Sequence, residues 1–172
     1  MMNTHPGGEE HSRYLIELSF LAPGSRVLDM GAGDGSTVTL LRKLGYEAVG
    51  IDLSPRSADV ASGNFLHLPY PEECFDGVIS QCSFFVSGDV SGALAEAARV
   101  LRPGGKLVFS DVTRDVVQLL SQVRQSGFAV RHLEDLTPAW QEFYLEALWT
   151  SQDCTLPTGK AVQYVLFVCE RK

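Results

Sequence analysis

The segment from Val27 to Thr37 constrains this chain more than any other. Val27, Leu28 and Met30 make a short apolar run around Asp29, and Gly31, Gly33 and Gly35 follow on alternate positions before a helical pattern begins. An apolar strand that passes through bare backbone into a helix is the opening of a βα unit, and a chain that starts this way is committed to an α/β layer architecture. Missing Cβ atoms also let a ligand lie directly against the backbone, while the helix amino end offers unpaired N–H donors.

Spacing and charge narrow the ligand. The glycines read GxGxG, so Gly35 arrives one place earlier than the third glycine of the dinucleotide motif GxGxxG. Asp29 interrupts an otherwise apolar strand just before the bend. A carboxylate there repels a pyrophosphate and attracts a cationic amino acid carrying a sulfonium, which favours S-adenosylmethionine over NAD. The next strand pattern, 47–51, runs into Asp52, about 20 positions beyond the loop, where a carboxylate can accept both hydroxyls of a ribose. Taken alone, Asp52 beside Ser54-Pro55 reads as a helix cap; with the glycine loop it reads as the ribose acceptor.

The rest of the chain continues the alternation. Residues 1–8 contain glycine and proline and are expected to be a mobile lead-in, with one folded domain over 9–172. Tyr14, Leu15, Leu18 and Leu21 give a helix over 9–21, and 26–30 is the first strand. A helix carries Val38, Leu41 and Leu44 on one face. A short helix is expected over 54–61 and a short strand over 64–68. Strands follow at 75–80, 106–112, 128–133 and 162–169, separated by helices at 90–101, 115–125 and 137–148; Pro103-Gly104-Gly105 breaks the first of these by removing a donor and permitting positive φ. Thr137 as N-cap and Pro138 at the first helical position set the start of the last. The expected fold is a Rossmann-like, doubly wound, seven-stranded and mostly parallel sheet with helices on both faces, in a single domain.

Composition removes several functions. The 172 residues carry Asp+Glu 21 against Lys+Arg 14, a net charge of -7, so binding to nucleic acid or to anionic lipid is not expected. Cys74, Cys82, Cys154 and Cys169 form no CxxC pair and have no neighbouring histidine, so no metal site is expected. Residues 1–8 lack a basic start followed by an apolar run, and no stretch approaches the roughly 18 apolar residues of a membrane span. A cytoplasmic location is expected.

Four segments together resemble the class I S-adenosylmethionine-dependent methyltransferases with a compact methyltransferase domain. They are VLDMGAGDG at 27–35, VGIDLS at 49–54, GNFLHLPYP at 63–71 leading into FDGVI at 75–79, and RVLRPGGKL at 99–107. The resemblance covers about half of the chain. It implies that Asp29 and the backbone of Gly31, Ala32, Gly33 and Gly35 hold the methionine portion and approach the ribose. It gives the ribose hydroxyls to Asp52 and the adenine face to Leu53. Asn64 stands where the family usually has Asp, its amide oxygen accepting from the adenine amino group, and Phe65, in place of a small residue, offers its backbone N–H to the ring. Gln81 and Cys82 line the methionine end. Asn64 also reads as a turn residue, Phe65 as core, and Cys82 as an inert buried thiol.

The implied reaction moves a methyl group to an acceptor, expected to be a small molecule. The cofactor's methyl is already activated, so the protein's task is to align the nucleophile and exclude water; a base is needed only if the acceptor must lose a proton. Residues 81–85, QCSFF, hold no histidine, lysine or carboxylate. His5, His67, His132 and Asp111 are the remaining candidates, and none earns a catalytic assignment; oligomeric state is not legible either. Trp140, Phe143, Tyr144 and Trp149 form either a packing face or a pocket wall. A non-catalytic S-adenosylmethionine-binding or partner-binding module on the same fold is the alternative.

Overall fold

The computed structural model describes residues 6–142 and 162–172. Helix α1 (Gly8–Leu18) leads into β1 (Arg26–Met30), α2 (Ser36–Lys43), β2 (Glu47–Asp52) and β3 (Val60–Ser62). Strand β4 (Phe75–Gln81), helix α3 (Val90–Val100), β5 (Leu101–Thr113), α4 (Val116–Gln125), β6 (Phe128–Asp135) and β7 (Gln163–Arg171) follow. The strands form one sheet in the order β3-β2-β1-β4-β5-β7-β6. Every pairing is parallel except those of β7, which runs antiparallel to both β5 and β6. The seven-stranded, mostly parallel, doubly wound α/β sheet is therefore as the alternation predicts.

Strand alternation divides the core between the two faces. On one face α1 and α2 bury Leu15, Ile16, Val38 and Leu41 against Val27, Ile79, Val108 and Leu166. On the other, α3 and α4 bury Leu94, Ala97, Leu119 and Val123 against Leu28, Val78, Leu107 and Phe109. Both layers are fully enclosed, so truncating Leu28 or Leu107 to Ala should cost about 2–5 kcal/mol. Strand order reverses between β1 and β4, and that switch point opens a crevice beyond the strands' carboxyl ends.

Several local expectations are corrected. The helix expected over 54–61 does not form: 53–59 are bends and turns, and Val60 begins β3, paired in register with Gly50. A buried Val60 packed on the α2 side competes better for this short stretch than a weak helix does. The strand expected over 64–68 is instead a 3₁₀ turn over Phe65–His67. Asn64 causes this, because its side-chain oxygen accepts from Leu66 N at 2.9 Å and offers the backbone a cap in place of a ladder. Helix α1 stops at Leu18, ahead of Pro23-Gly24, where Ser19 Oγ bonds the carbonyl of Ile16 and Phe20 takes a positive φ of 51°. Helix begins at 137; the Asp135 carboxylate accepts from Thr137 N at 2.9 Å, and Thr137 Oγ1 accepts from Tyr164 N at 3.1 Å. Beyond 142 that helix lies outside the described residues, as do Phe143, Tyr144, Trp149, Cys154 and His5. Among the described residues no helix is long and apolar enough to cross a membrane.

Candidate functional site

The carboxyl end of β1 meets the bend that sequence singled out. Gly31, Gly33 and Gly35 all take positive φ, of 82°, 52° and 78°. A Cβ on Gly31 would stand 2.1 Å from Ser83 Oγ and 2.4 Å from Ser83 Cβ, so only glycine fits there. The bend is tied to β2: Gly31 N and Ala32 N both donate to Ile51 O, and Gly33 N donates to Asp52 Oδ2 at 2.9 Å. Ser54 N donates to the other Asp52 oxygen at 2.8 Å. Two backbone donors thus hold the Asp52 carboxylate facing the crevice.

These elements enclose a cleft of about 700 Å³. Asp29, Gly31, Ala32 and Gly33 form its floor, and Asp52, Leu53, Asn64 and Phe65 one wall. Gln81 and Cys82, at the end of β4, line the opposite side. Gly35 alone among the sequence candidates stands back from the cleft, capping α2 and packing toward Val60 and Ser57. Leu53 is 65% exposed and, among the described residues, belongs to neither core cluster, whereas Phe65 is buried and its ring lies 5.9 Å from that of Phe84.

Electrostatics distinguish the ligand types this cleft can take. Asp29, Asp34 and Asp52 line it with Arg56 as the one cation among the described lining residues. Asp29 is buried, and desolvation, followed by repulsion from Asp52 and Asp34, pushes its pKa up to about 7. A positively charged ligand would relieve that repulsion and a diphosphate would aggravate it. The Gly31–Gly33 bend with a cleft-lining carboxylate 2.9 Å from Gly33 N suits a cationic ligand.

The remaining candidates fall elsewhere. His67 ends the 3₁₀ turn, outside a strand, and His132 is exposed on edge strand β6, 3.3 Å from Glu134. Asp111 faces the α3–α4 side, where Phe85 N donates to it at 2.9 Å and Val112 N at 2.8 Å. Burial raises its pKa to about 6 despite those bonds. It shapes the 3₁₀ turn after β4 and does not line the cleft. Trp140 is buried. Cys82 is a positive-φ residue, at 53°, and burial pushes its thiol up to about 12, so it is no nucleophile.

Sequence reasoning missed a polar layer contributed by α1. Gln81 Nε2 donates to Ser12 Oγ at 3.1 Å and to Thr37 Oγ1 at 3.0 Å. Beside it, Tyr164 donates to Ser110 Oγ at 2.7 Å, and His11 Nε2 lies 3.1 Å from the same oxygen. Cys82 Sγ points at the Tyr164 hydroxyl at 3.5 Å. Loss of hydration raises the Tyr164 pKa, keeping it a neutral donor. The available signal was periodicity: His11 and Ser12 precede Leu15 and Ile16 by four, which puts Ser12 on the buried stripe of α1 and the half-buried His11 beside it.

Comparison with known proteins points the same way. Residues 28–109 match a family described as a methyltransferase domain. Demethylmenaquinone methyltransferase of Tropheryma whipplei is 34% identical over 97 residues, covering 49% of this chain and 41% of that protein. Malonyl-(acyl-carrier protein) O-methyltransferase of Yersinia pestis is 30% identical over 139 residues, 75% of this chain and 52% of its own length. The chain therefore spans about half the length of these curated relatives. Among solved structures, phosphoethanolamine N-methyltransferase 2 of Haemonchus contortus superposes with a TM-score of 0.82 at 17% identity over 99% of this chain and 54% of that one. The cyclase SpnF gives a TM-score of 0.80 at 20% identity, covering 95% of this chain and 80% of that one. These two likenesses establish the fold alone, and a cyclase beside a methyltransferase shows why chemistry must be argued from the site.

Proposed function

Because the chain belongs to the class I S-adenosylmethionine-dependent methyltransferase family, we propose that it binds S-adenosylmethionine in the 700 Å³ cleft and transfers its methyl group to a small-molecule acceptor. The observation that carries this reading is the acid-lined glycine bend, with the Asp52 carboxylate fixed toward the cleft by Gly33 N and Ser54 N.

In this reading Asp52 takes the ribose hydroxyls and Leu53 covers the adenine, which explains a leucine left 65% exposed. The Asn64 oxygen already accepts from Leu66 N, and a carbonyl's second lone pair serves the adenine amino group. The backbone N–H of Phe65 approaches the ring while its side chain packs in the core. The floor of Gly31, Ala32 and Gly33 admits the chain of the methionine, Asp29 offsets its positive charge, and Gln81 and Cys82 stand at its far end. When bound, the cofactor supplies an activated methyl on sulfur, and the protein's own groups orient it and keep water away. Two relatives are named for a quinone-type and an acyl-carrier acceptor, which supports a small acceptor group without choosing one.

Calorimetry with S-adenosylhomocysteine tests the cofactor, and transfer of labelled methyl from S-adenosylmethionine into fractions of cell extract tests the reaction. Binding followed by label in a low-molecular-weight fraction is the expected result. No heat with S-adenosylhomocysteine would remove the cofactor reading; binding without transfer to any fraction would move the chain to the non-catalytic alternative.

A further inference from the structure

The polar layer under α1 has a direction to it. Gln81, at the carboxyl end of β4, spends one amide hydrogen on Ser12 Oγ at 3.1 Å and the other on Thr37 Oγ1 at 3.0 Å. Ser12 and Thr37 are themselves 3.3 Å apart, and Ser12 Oγ also reaches the Gly8 carbonyl at 3.4 Å. All three side chains are buried, and they come from three elements: α1, the first turn of α2, and β4. An amide has two hydrogens and two lone pairs. With both hydrogens committed to hydroxyls, its oxygen makes, among the described residues, a long 3.4 Å contact from Ser12. Gln81 lines the cleft, so the group it has left to offer a ligand there is an acceptor.

We propose that Ser12 is a positioning residue for the cofactor: it holds the Gln81 amide with its oxygen toward the cleft, so that Gln81 accepts a hydrogen bond from the α-ammonium of the methionine end. This rests on the cofactor reading given above. With the nucleoside over Asp52 and Leu53 at the end of β2, the amino acid end extends across the β1–β4 switch point to Gln81. Helix α1 thereby becomes part of the binding site without touching the ligand. The same contact explains why a serine, rather than an apolar residue, sits 2% exposed on the inner stripe of α1, next to Leu15 and Ile16.

The test uses two probes on the full chain, S-adenosylhomocysteine and adenosine, which share a nucleoside and differ by the amino acid end. For Ser12→Ala, calorimetry should show S-adenosylhomocysteine affinity falling about tenfold with adenosine affinity unchanged, the size expected for one hydrogen bond to a charged group. Ser12→Thr, which keeps the hydroxyl, should restore binding. Gln81→Glu keeps an acceptor and adds charge, so it should hold or tighten S-adenosylhomocysteine; an amide that instead offered N–H to the carboxylate would lose binding on this change. Should Ser12→Ala fail to fold, Thr37→Val removes the other anchor and should give the same split between probes. Equal losses for both probes, unchanged S-adenosylhomocysteine affinity, or weakened binding by Gln81→Glu would each overturn the proposal. A wild-type protein that binds neither probe would instead defeat the cofactor reading on which it stands.

Discussion

The two halves of the cleft are built on different principles. On the β1–β2 side the geometry is set by backbone: three positive-φ glycines, two N–H groups on one carbonyl, and a carboxylate gripped by Gly33 N and Ser54 N. At the end of β4, and behind it in β5 and β7, it is set by side chains meeting across large sequence separations, such as Gln81 with Ser12, 69 positions apart, and Tyr164 with Ser110, 54 apart. A backbone-built wall should tolerate no added bulk and answer to single substitutions sharply. A side-chain network should lose its function in smaller steps, because several partners share each role.

The sharpest way to break this contrast is Gly31→Val. The new Cβ meets Ser83 at 2.1 Å to Oγ, and a β-branched residue is forced into φ 82°. The combined clash and strain should cost roughly 2–5 kcal/mol of stability, read as a fall in the denaturant midpoint, together with loss of S-adenosylhomocysteine binding. A folded variant of unchanged midpoint would mean the bend is not as rigid as its hydrogen bonds imply. Next in size is Asp52→Ala, which should weaken S-adenosylhomocysteine by about 1.5–3 kcal/mol in calorimetry through lost charge-assisted bonds. Unchanged affinity would remove Asp52 from the site.

The same division explains what the sequence makes legible. Glycines at alternate positions after an apolar run, and an acidic residue ending the next strand, are local signals, and local signals survive without a structure. The expected positions of β1, β2, β4, α3 and α4 therefore stand close to those observed, whereas β5, expected from Lys106, starts at Leu101 because that residue pairs with Phe75 of β4. Short segments failed where a tertiary contact decided them. Val60 joins β3 because it pairs beside β2, and residues 65–67 turn because the Asn64 side chain caps them. Periodicity places Ser12 on the inner stripe of α1 and His11 beside it, but their partners appear only once β4, β5 and β7 are assembled beneath them. No spacing rule connects position 12 to position 81.

Asp29 offers a third, intermediate effect, on pH. Its folded pKa of about 7 is raised above the ordinary carboxylate value by burial and by Asp52 and Asp34. Between the unfolded and folded values the native state therefore holds more protons than the unfolded chain, and stability of the ligand-free protein should fall as pH rises through that window. Cofactor binding runs the opposite way, since the cationic ligand prefers the ionised form: affinity for S-adenosylmethionine should rise from pH 6 to pH 8. Asp29→Asn should flatten both trends, and persistence of either in that variant would assign it to another group.

The smallest effects separate the buried network behind β4 from the β2 wall most cleanly. Tyr164→Phe removes a buried hydroxyl that donates to Ser110 and faces Cys82, so it should cost about 1–2 kcal/mol of stability while leaving S-adenosylhomocysteine affinity unchanged. Leu53→Ala should do the reverse. Leu53 is 65% exposed and belongs to neither core cluster of the described residues, so stability should stay within about 0.5 kcal/mol. If its side chain covers the adenine, affinity for both adenosine and S-adenosylhomocysteine should drop by about 1 kcal/mol, the value of the apolar area withdrawn from water on binding. That equal loss differs from the split expected of Ser12→Ala, and the pair of measurements locates the nucleoside on the β2 wall and the amino acid end on the β4 wall. A Leu53→Ala protein that distinguished the two probes would place the nucleoside elsewhere in the cleft.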